Sequence, residues 1–234
     1  MVVNAAAFTD VDGAEAREAE AYGVNAEGVR NIVRALSGTR CLLVQLSTDY
    51  VFSGDKTGPY VETDDESPLS VYGKSKLEGE AAAAKHREHL IVRTSGVFGQ
   101  GKNFVASVLK AGAERSFIEV VDDQIGRPTY APDLAQGIYS LVASGARGLI
   151  HLTGEGPPAS RAEVAEWVIE SAGLPMSVER ISTAELTSKA RGPLARRPMN
   201  GVLDCAKAKV AGVELSPWRE GVKEYVRSLP GFSR

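Results

Sequence analysis

The sequence has few cysteines and no long apolar run, and each absence excludes a class of protein. Only Cys41 and Cys205 occur among its 234 residues, whereas a disulfide framework or a zinc cluster needs more cysteines at closer spacing. No apolar run approaches the roughly 20 residues of a membrane span. Met1 leads into core-like sequence without a basic and apolar leader. We therefore expect a cytoplasmic protein with no membrane partner.

An excess of one charge is also absent. The sequence has 27 basic and 30 acidic residues, and its net charge is −3. A protein that binds nucleic acid through its phosphates needs a basic surplus, so we expect a small-molecule ligand and no nucleic acid. With 43% hydrophobic residues, a chain of this length can bury a large core in one domain or in two joined ones.

The sequence also lacks the Gly-rich turn with which nucleotide-binding sheets begin. Such sheets open with a strand, a Gly-rich turn and a helix whose amino end holds a pyrophosphate. Here the first strand-like stretch, 2–4, runs directly into Ala5, Ala6 and Ala7, whose small side chains let a cofactor approach the backbone. A later stretch, 154–159, fits the spacing G-x-G-x-x-A, but two prolines remove N–H groups that a phosphate cradle needs. We interpret that stretch as a loop.

Strand-like and helix-like stretches alternate along the rest of the chain, which is typical of an α/β fold. Strands are expected at 41–46, 90–93, 117–121 and 148–152, and helices at 12–36, 72–84, 104–113, 132–144, 161–172 and 218–229. Ser160 and Glu163 have the spacing of a capping box before the helix that ends at Gly173.

Two hydroxyl side chains follow the first predicted buried strand. The apolar run 41–46 leads directly to Ser47 and Thr48, which should lie at the carboxyl end of that strand. Open α/β sheets bind their ligands at this end. Hydroxyl groups there are well placed to hydrogen-bond a substrate carbonyl.

Tyr72 and Lys76 are four residues apart at the start of a segment with strong helix propensity, so both lie on one helical face. A phenol has an ordinary pKa of about 10, and a neighbouring ammonium lowers it. We predict that Thr48 hydrogen-bonds a carbonyl oxygen, that Tyr72 protonates it, and that Lys76 lowers the pKa of Tyr72 and holds a ribose hydroxyl. Tyr-x-x-x-Lys alone is usually a surface pair, but beside a strand that ends in Ser-Thr-Asp it indicates an active site.

Several motifs, in order along nearly the whole chain, resemble those of the dTDP-4-dehydrorhamnose reductases, which are extended short-chain dehydrogenases/reductases. The motifs are Asn4-Ala5-Ala6-Ala7-Phe8-Thr9, Ser47-Thr48-Asp49-Tyr50-Val51-Phe52, Tyr72-Gly73-Lys74-Ser75-Lys76 and Gln124-x-Gly126-x-Pro128-Thr129. The resemblance implies reduction of the 4-keto group of a dTDP-4-keto-6-deoxyhexose by NADPH, with NADH as the alternative cofactor. It also implies a Rossmann-like parallel sheet at 1–115 and a smaller, mainly substrate-binding α/β part at 116–234 that interleaves with it.

Together with the strand-end argument, the resemblance assigns a candidate site. Its catalytic residues are Thr48, Tyr72 and Lys76. Its cofactor-binding residues are Ala5, Ala6, Ala7, Ser47, Tyr72 and Lys76. Its substrate-binding residues are Thr9, Val11, Asp49, Tyr50 and Arg127. Arg127, Arg196 and Arg197 either grip a diphosphate or belong to the surface.

Three further features have two interpretations each. The family has an Asn near the active site at the position of Asn25, but a helix-capping Asn is an equal alternative. The carboxylates of the loop 53–68, which we call the acidic loop, lack the spacing of a calcium site and indicate a solvated surface. His86 and His89 have no third ligand nearby and indicate a helix end. We expect no metal.

The chain departs from the family in several places. About two βα units, roughly sixty residues, are expected to be missing ahead of Val2, so we interpret the fold as an N-terminally truncated Rossmann-like sheet. Its exposed edge strand could be covered by a second copy or a partner chain, and the cofactor binds if the nucleotide half is supplied. Gly96 stands where the family usually has Trp, and Leu46 where Tyr is common, which leaves open a different sugar.

Two alternatives to a reductase remain. One is a redox-neutral acid–base enzyme, an isomerase or cyclase, that has lost the nicotinamide site. The other is a non-catalytic regulatory or binding protein. The intact catalytic set argues against the second alternative, and the missing Gly-rich turn argues against the reductase. Reductase activity is our principal hypothesis.

Overall fold

The structure is a computed structural model, and it describes residues 1–190, 192 and 194–231. Its strands are β1 Val2–Asn4, β2 Leu43–Thr48, β3 His89–Thr94, β4 Val97–Phe98, β5 Phe117–Val121, β6 Ile125–Gly126, β7 Thr129–Tyr130, β8 Gly148–His151, β9 Ala159–Ser160 and β10 Ser177–Ile181. Its α-helices are α1 Val11–Ala16, α2 Glu18–Tyr22, α3 Gly28–Ala35, α4 Val71–Ala83, α5 Phe104–Gly112, α6 Ala131–Ala143, α7 Arg161–Ala172, α8 Thr183–Lys189, α9 Ala206–Val210 and α10 Trp218–Ser228. None of the helices described is long and apolar enough to cross a membrane.

The main sheet is parallel and has the strand order β1-β2-β3-β8. In its register Asn4 pairs with Gln45, and Thr48 pairs with Thr94. Ser47 and Thr48 therefore extend past the last residue of β1. The loop that leaves β1 lies beside these two hydroxyls, at the carboxyl edge of the sheet.

Helices cover both faces of this sheet, as buried parallel strands require. On one face α3 and α4 pack against β2 and β3 through a cluster that includes Val29, Leu43, Ala83 and Ile91. On the other face α6 packs against the same strands through a second cluster that includes Val44, Leu90, Leu134, Ile138 and Leu141. The predicted α/β class with a parallel sheet is confirmed.

A separate core forms around the parallel pair of β5 and β10. Helices α5, α7 and α10 enclose a cluster that includes Phe98, Val105, Val168, Trp218 and Val222. Because α6 and β8 lie beyond residue 115 and still belong to the main sheet layer, the chain passes back and forth between the two cores. The division at residue 115 stays a prediction.

The helical pattern predicted at 12–36 is divided into shorter pieces. The backbone leaves the helical region at Arg17 (φ −124°, ψ 47°), between α1 and α2. A π-helical turn, Gly23–Glu27, then joins α2 to α3. Such wide turns often occur at functional sites, and here the turn contains the buried Asn25.

The acidic loop is only in part the solvated surface that we expected. Asp65 and Glu66 are exposed. Glu66 also pairs at 2.5 Å with Arg93, which is fully buried and binds Glu80 at 2.9 and 2.6 Å. Glu62 accepts the backbone N–H of His151 at 2.9 Å. Two of these carboxylates therefore bind buried donors of the sheet, which the local sequence does not reveal.

Candidate active site

The start of α4 places Tyr72 at the end of β2. The Ser70 hydroxyl accepts the N–H of Gly73 at 3.2 Å and so caps the helix. The backbone of Gly73 lies against the short 3₁₀ turn Asp49–Val51, because a Cβ at Gly73 would stand only 2.3 Å from the carbonyl oxygen of Tyr50. This close approach, which only glycine permits, brings the first turn of α4 onto the strand end.

The two predicted catalytic hydroxyls meet there. The Thr48 hydroxyl lies near that of Tyr72 and lowers the pKa of the phenol. The Thr48 hydroxyl also donates to Oδ1 of Asp49 at 3.1 Å and accepts the N–H of Tyr50 at 3.2 Å. The Tyr50 ring stands edge-on to the Tyr72 ring, with 5.5 Å between the ring centres. Thr48 and Tyr72 therefore lie side by side at the strand end, as a shared role on a carbonyl requires.

Lys76 is on the same helical face but does not act on Tyr72 as predicted. Its Nζ donates to the carbonyl oxygen of Leu46 at 2.6 Å. Burial lowers the pKa of Lys76 to about 8, and the nearby charge of Glu80 opposes that shift. The ammonium is thus held by the β2 backbone, close to the strand end.

The pKa of Tyr72 is shifted upward. Burial raises it most, the charges of Asp49 and Tyr50 add to the rise, and the hydrogen bond with Thr48 opposes it. Lys76 is not among the groups that shift it. The expectation that Lys76 acidifies Tyr72 is wrong in this structure, because a desolvated phenol beside a carboxylate strongly favours its neutral form.

Asn25 connects the loop after β1 to α4. Its side chain accepts the N–H of Phe8 at 2.8 Å and donates to the carbonyl oxygen of Phe8 at 3.2 Å. It also donates to the Ser75 hydroxyl at 2.9 Å, and Ser75 donates to the carbonyl oxygen of Tyr72 at 2.8 Å. Of the two interpretations of Asn25, the helix cap is excluded, since the side chain bonds across the molecule.

Replacement of Asn25 by alanine should remove this connection. We expect the free energy of unfolding to fall by about 1–3 kcal/mol, since buried polar partners lose their hydrogen bonds, and the amide of Phe8 to exchange faster. Hydrogen exchange and denaturant titration measure both. In the control Asn103→Ala, which removes the cap of α5, a loss of about 1 kcal/mol is expected with unchanged exchange at Phe8. Equal protection of Phe8 in both variants would contradict the assignment.

The predicted cofactor residues lie along the same edge. Ala5 and Ala6 are exposed in the loop, and Ala7 is half-buried. The side chain of Asn4 fixes this loop by accepting the N–H of Ala6 at 3.3 Å. The hydroxyl oxygen of Ser47 is buried and has no hydrogen-bond partner among the residues described.

The predicted substrate residues are only partly brought together. Thr9 is exposed, and Val11 is half-buried at the start of α1. Tyr50 is half-buried beside Tyr72. Asp49 is only 6% exposed and lies behind Thr48, so its predicted contact with substrate is not supported by the geometry. Arg127 donates to the carbonyl oxygen of Leu203 at 3.3 Å, so part of its guanidinium is bound by the protein backbone.

Two other arginines face the site. Arg197 pairs with Asp12 at 2.7 Å and hydrogen-bonds the Tyr50 hydroxyl. The Arg161 guanidinium stacks 4.3 Å from the Phe104 ring centre, and the charges that act on it belong to Tyr50, Arg197, Asp49 and Asp12. Arg196, the neighbour of Arg197, is exposed.

Sequence reasoning named Arg197 but missed Arg161. Burial lowers the pKa of Arg161, and no described carboxylate forms an ion pair with it at close range. It was visible only as an unnamed position inside the capping box of α7. A signal existed, since a cation in the first turn of a helix is unfavourable with respect to the helix dipole and suggests another reason for its presence.

Gly96 and the histidines complete the comparison with the sequence. Gly96 has φ +54°, which favours glycine, and is exposed beside Pro128. Gly96 therefore places no side chain on this part of the edge.

The two histidines bind backbone carbonyl oxygens. The ring of His86 binds the carbonyl oxygen of Cys41 at 2.8 Å, and the ring of His89 binds that of His86 at 2.6 Å. Within the part of the chain that the structure describes, no group of three or more His, Cys, Asp or Glu residues could hold a metal ion.

Residues 1–230 match the family described as the RmlD substrate binding domain. The chain belongs to this family. It is 39% identical to the dTDP-4-dehydrorhamnose reductase of Sinorhizobium fredii over 98% of the chain and 80% of that protein. It is 44% identical to the dTDP-4-dehydrorhamnose reductase of Mycobacterium tuberculosis over 79% of the chain and 64% of that protein, less than two thirds of its length.

Solved structures agree with this assignment. The dTDP-4-dehydrorhamnose reductase of Bacillus anthracis in complex with NADP superimposes with a TM-score of 0.89 and 36% identity, over 95% of the chain and 78% of that protein. The resemblance inferred from the motifs is confirmed, as is a Rossmann-like fold. Membership in the family places the protein among the oxidoreductases of the short-chain dehydrogenase/reductase type.

Proposed function

We propose that the protein reduces the 4-keto group of a dTDP-4-keto-6-deoxyhexose, with NADPH as the reductant. The observation that carries this proposal is the proximity of the Thr48 and Tyr72 hydroxyls at the carboxyl end of β2. A ketone oxygen that meets both hydroxyls can be held by Thr48 and protonated by Tyr72. The raised pKa of Tyr72 keeps the phenol protonated, so the proton is in place. It also makes the phenol a weaker acid, which releases the proton only as charge develops on the ketone oxygen.

The residues present fit the nicotinamide end of the cofactor. The loop Ala5–Ala7 offers backbone without bulky side chains, and the Ser47 hydroxyl oxygen is buried and unpaired among the described residues. Lys76, one helical turn after Tyr72, has an ammonium that could hold a ribose hydroxyl. The cofactor, when bound, supplies the hydride. We propose NADPH as the cofactor because the related Bacillus anthracis reductase was solved in complex with NADP. NADH is the alternative.

A diphosphate-linked substrate also suits the positive charge beside the site. Arg161 and Arg197 influence each other electrostatically, and among the residues that the structure describes only one carboxylate, Asp12, forms an ion pair with either of them. Two guanidinium groups that are close together repel each other unless an anion lies between them. We propose Arg161 and Arg197, in place of Arg127, as the residues that face the substrate diphosphate.

The test uses the purified chain, NADPH and dTDP-4-dehydrorhamnose. We expect the NADPH absorbance to fall as a reduced dTDP-6-deoxyhexose forms, and slower turnover with NADH. Conversion of the substrate without any nicotinamide would favour the redox-neutral alternative. Binding of the nucleotide sugar without conversion, in the presence of bound NADPH, would favour the non-catalytic alternative. Either result would overturn the proposal.

Replacement of Arg161 by glutamine should weaken binding of the substrate. Loss of one charge-assisted hydrogen bond, about 1.5–3 kcal/mol, predicts a rise in KM of about 10- to 100-fold and little change in kcat. The control is Arg196→Gln, which removes the exposed arginine next to Arg197 and should leave KM unchanged. Equal KM values for the two variants would remove Arg161 from substrate binding.

The compartment and the assembly follow from the same proposal. A soluble nucleotide sugar and NADPH are both available in the cytoplasm, where we propose that the protein acts. Val3 on the edge strand β1 is 46% exposed, and an exposed strand edge can pair with another chain. We propose that a second copy or a partner chain covers it, and light scattering of the purified chain measures the mass that decides this.

A further inference from the structure

The Thr48 hydroxyl has more neighbours than one proton can serve. Its oxygen lies 3.2 Å from the backbone nitrogen of Tyr50 and 3.1 Å from Oδ1 of Asp49, and the Tyr72 hydroxyl lies near it. The backbone N–H can only donate, so it occupies one lone pair of the Thr48 oxygen. The single proton of Thr48 must then point either to Asp49 or to the side on which Tyr72 lies.

The charge of Asp49 decides between these directions. An ionised carboxylate is only an acceptor, so Thr48 must donate to it. On the side toward Tyr72, the Thr48 oxygen can then only accept a hydrogen bond. A neutral Asp49 carries a proton on its carboxyl and can donate to Thr48. The Thr48 proton is then free to point toward Tyr72 or toward a ketone oxygen.

We propose that Asp49 is a positioning residue that sets the direction of the Thr48 hydroxyl, and that the neutral carboxyl is the form in which Thr48 can hold the substrate oxygen. This proposal rests on the proposed ketone reduction. Asp49 itself does not touch the substrate, and it acts only through Thr48. The prediction that Asp49 binds substrate is thereby replaced by an indirect role.

The surroundings of Asp49 keep it enclosed. Its Oδ2 accepts the Ser95 hydroxyl at 2.8 Å. On the same oxygen lies Gly201, where a Cβ would stand only 2.3 Å away, so the backbone closes the space that a side chain would fill. Both carboxylate oxygens therefore have a hydrogen-bond partner, Thr48 for Oδ1 and Ser95 for Oδ2. Thr48 is the partner that connects Asp49 to the neighbourhood of Tyr72.

The charges around Asp49 allow it to become neutral near physiological pH. Burial raises the pKa of Asp49 to about 6, while the hydrogen bonds from Ser95 and Thr48 and the charge of Arg161 lower it. The other titratable groups that face it are Tyr50 of the 3₁₀ turn and Tyr72 of α4. Arg161 of α7 is the cation among them, and removal of the Ser95 hydroxyl should raise the pKa of Asp49 further.

The experiment follows Tyr72 directly, without turnover. Protein labelled with ¹³C at the tyrosine Cζ is titrated by NMR, and the Tyr72 signal is assigned by its loss in Tyr72→Phe. We expect this signal to shift with a midpoint near pH 6 as Thr48 changes from donor to acceptor. The midpoint should move upward in Ser95→Ala and stay unchanged in Ser107→Ala, which removes an exposed hydroxyl of α5. In Thr48→Val the shift should shrink to the part that the Asp49 charge exerts directly on Tyr72, because no hydroxyl then changes its direction.

The rate should follow the same titration. Since the neutral form is the competent one, kcat/KM is expected to fall as pH rises through about 6, to a plateau about 100-fold lower, the usual cost of one lost donor to a developing oxyanion. In Ser95→Ala this decline should move to higher pH with the NMR midpoint. A Tyr72 shift of undiminished size in Thr48→Val, or a decline in rate whose pH is the same in Ser95→Ala, would overturn the role of Asp49. Absence of turnover at every pH would instead overturn the proposed function, and the NMR titration would still decide how Asp49 acts on Thr48.

Discussion

Replacement of Tyr72 by phenylalanine is expected to lower kcat by about 10³-fold, within the usual range for loss of a general acid. The change deletes the phenolic oxygen that contacts Thr48 and leaves the ring that stands against Tyr50. The fold should therefore survive. A neutral Asp49 also presents an acidic proton to Thr48, but it is enclosed behind Thr48 and is only 6% exposed, so Tyr72 is the group placed to protonate a substrate.

Steady-state kinetics and binding measurements separate this effect from misfolding. Substrate and NADPH should bind to Tyr72→Phe with affinities near those of the wild type, because the loss is expected in the transition state. The matched control is Tyr139→Phe on α6, whose side chain is 66% exposed and whose hydroxyl should be dispensable. A Tyr72→Phe enzyme with kcat within threefold of Tyr139→Phe would remove Tyr72 from the proposed chemistry.

Replacement of Arg93 by methionine is expected to have the largest effect on stability. Arg93 is fully buried, binds Glu80 at 2.9 and 2.6 Å and Glu66 at 2.5 Å, and lies 5.0 Å from the Phe52 ring centre. Methionine fills much of the same volume but leaves the Glu80 carboxylate buried without its partner. Breaking a buried pair in this way costs about 3–5 kcal/mol, a large share of the total stability of a typical domain.

Denaturant unfolding measures this loss, and a surface arginine provides the control. Arg180 pairs with Glu166 and Asp122 at 2.7 and 3.1 Å, but all three side chains are more than one third exposed. Arg180→Met should cost less than about 1 kcal/mol, although it breaks as many ion pairs. Arg93→Met with Glu80→Leu should recover part of the loss, because no unpaired charge then remains in the core. Similar losses for Arg93→Met and Arg180→Met would show that burial does not control these pairs.

The ion pairs of Arg93 with Glu80 and Glu66 also concern the active site, because Glu80 lies one helical turn after Lys76 on α4. The pair of Arg93 and Glu80 fixes α4 to β3. The contact of Gly73 with the Tyr50 backbone fixes the start of α4. Together these contacts set the position of Tyr72 relative to β2. A variant that loosens Arg93 is therefore expected to lower activity at temperatures where most of the protein is still folded.

The sequence by itself determined most of the longer elements, although not the division of the helical region 12–36, and it pointed to the candidate catalytic residues. The apolar run before Ser47 became β2, and the Ser160 and Glu163 pair formed its capping box. The four-residue spacing placed Tyr72 and Lys76 on one helical face. These features were predictable because helix period, strand burial and capping depend on residues that are near one another in the chain.

Only the tertiary structure decided what these side chains face. Lys76 binds the β2 backbone, the charge of Arg161 acts on Asp49 and Tyr50, and Glu66 of the acidic loop binds Arg93. Each of these outcomes depends on partners tens of residues apart and on the degree of burial, which sets the pKa of Tyr72 and of Asp49. Local spacing carries no information about either quantity, because charge interactions and desolvation depend on distance in space and not on distance along the chain.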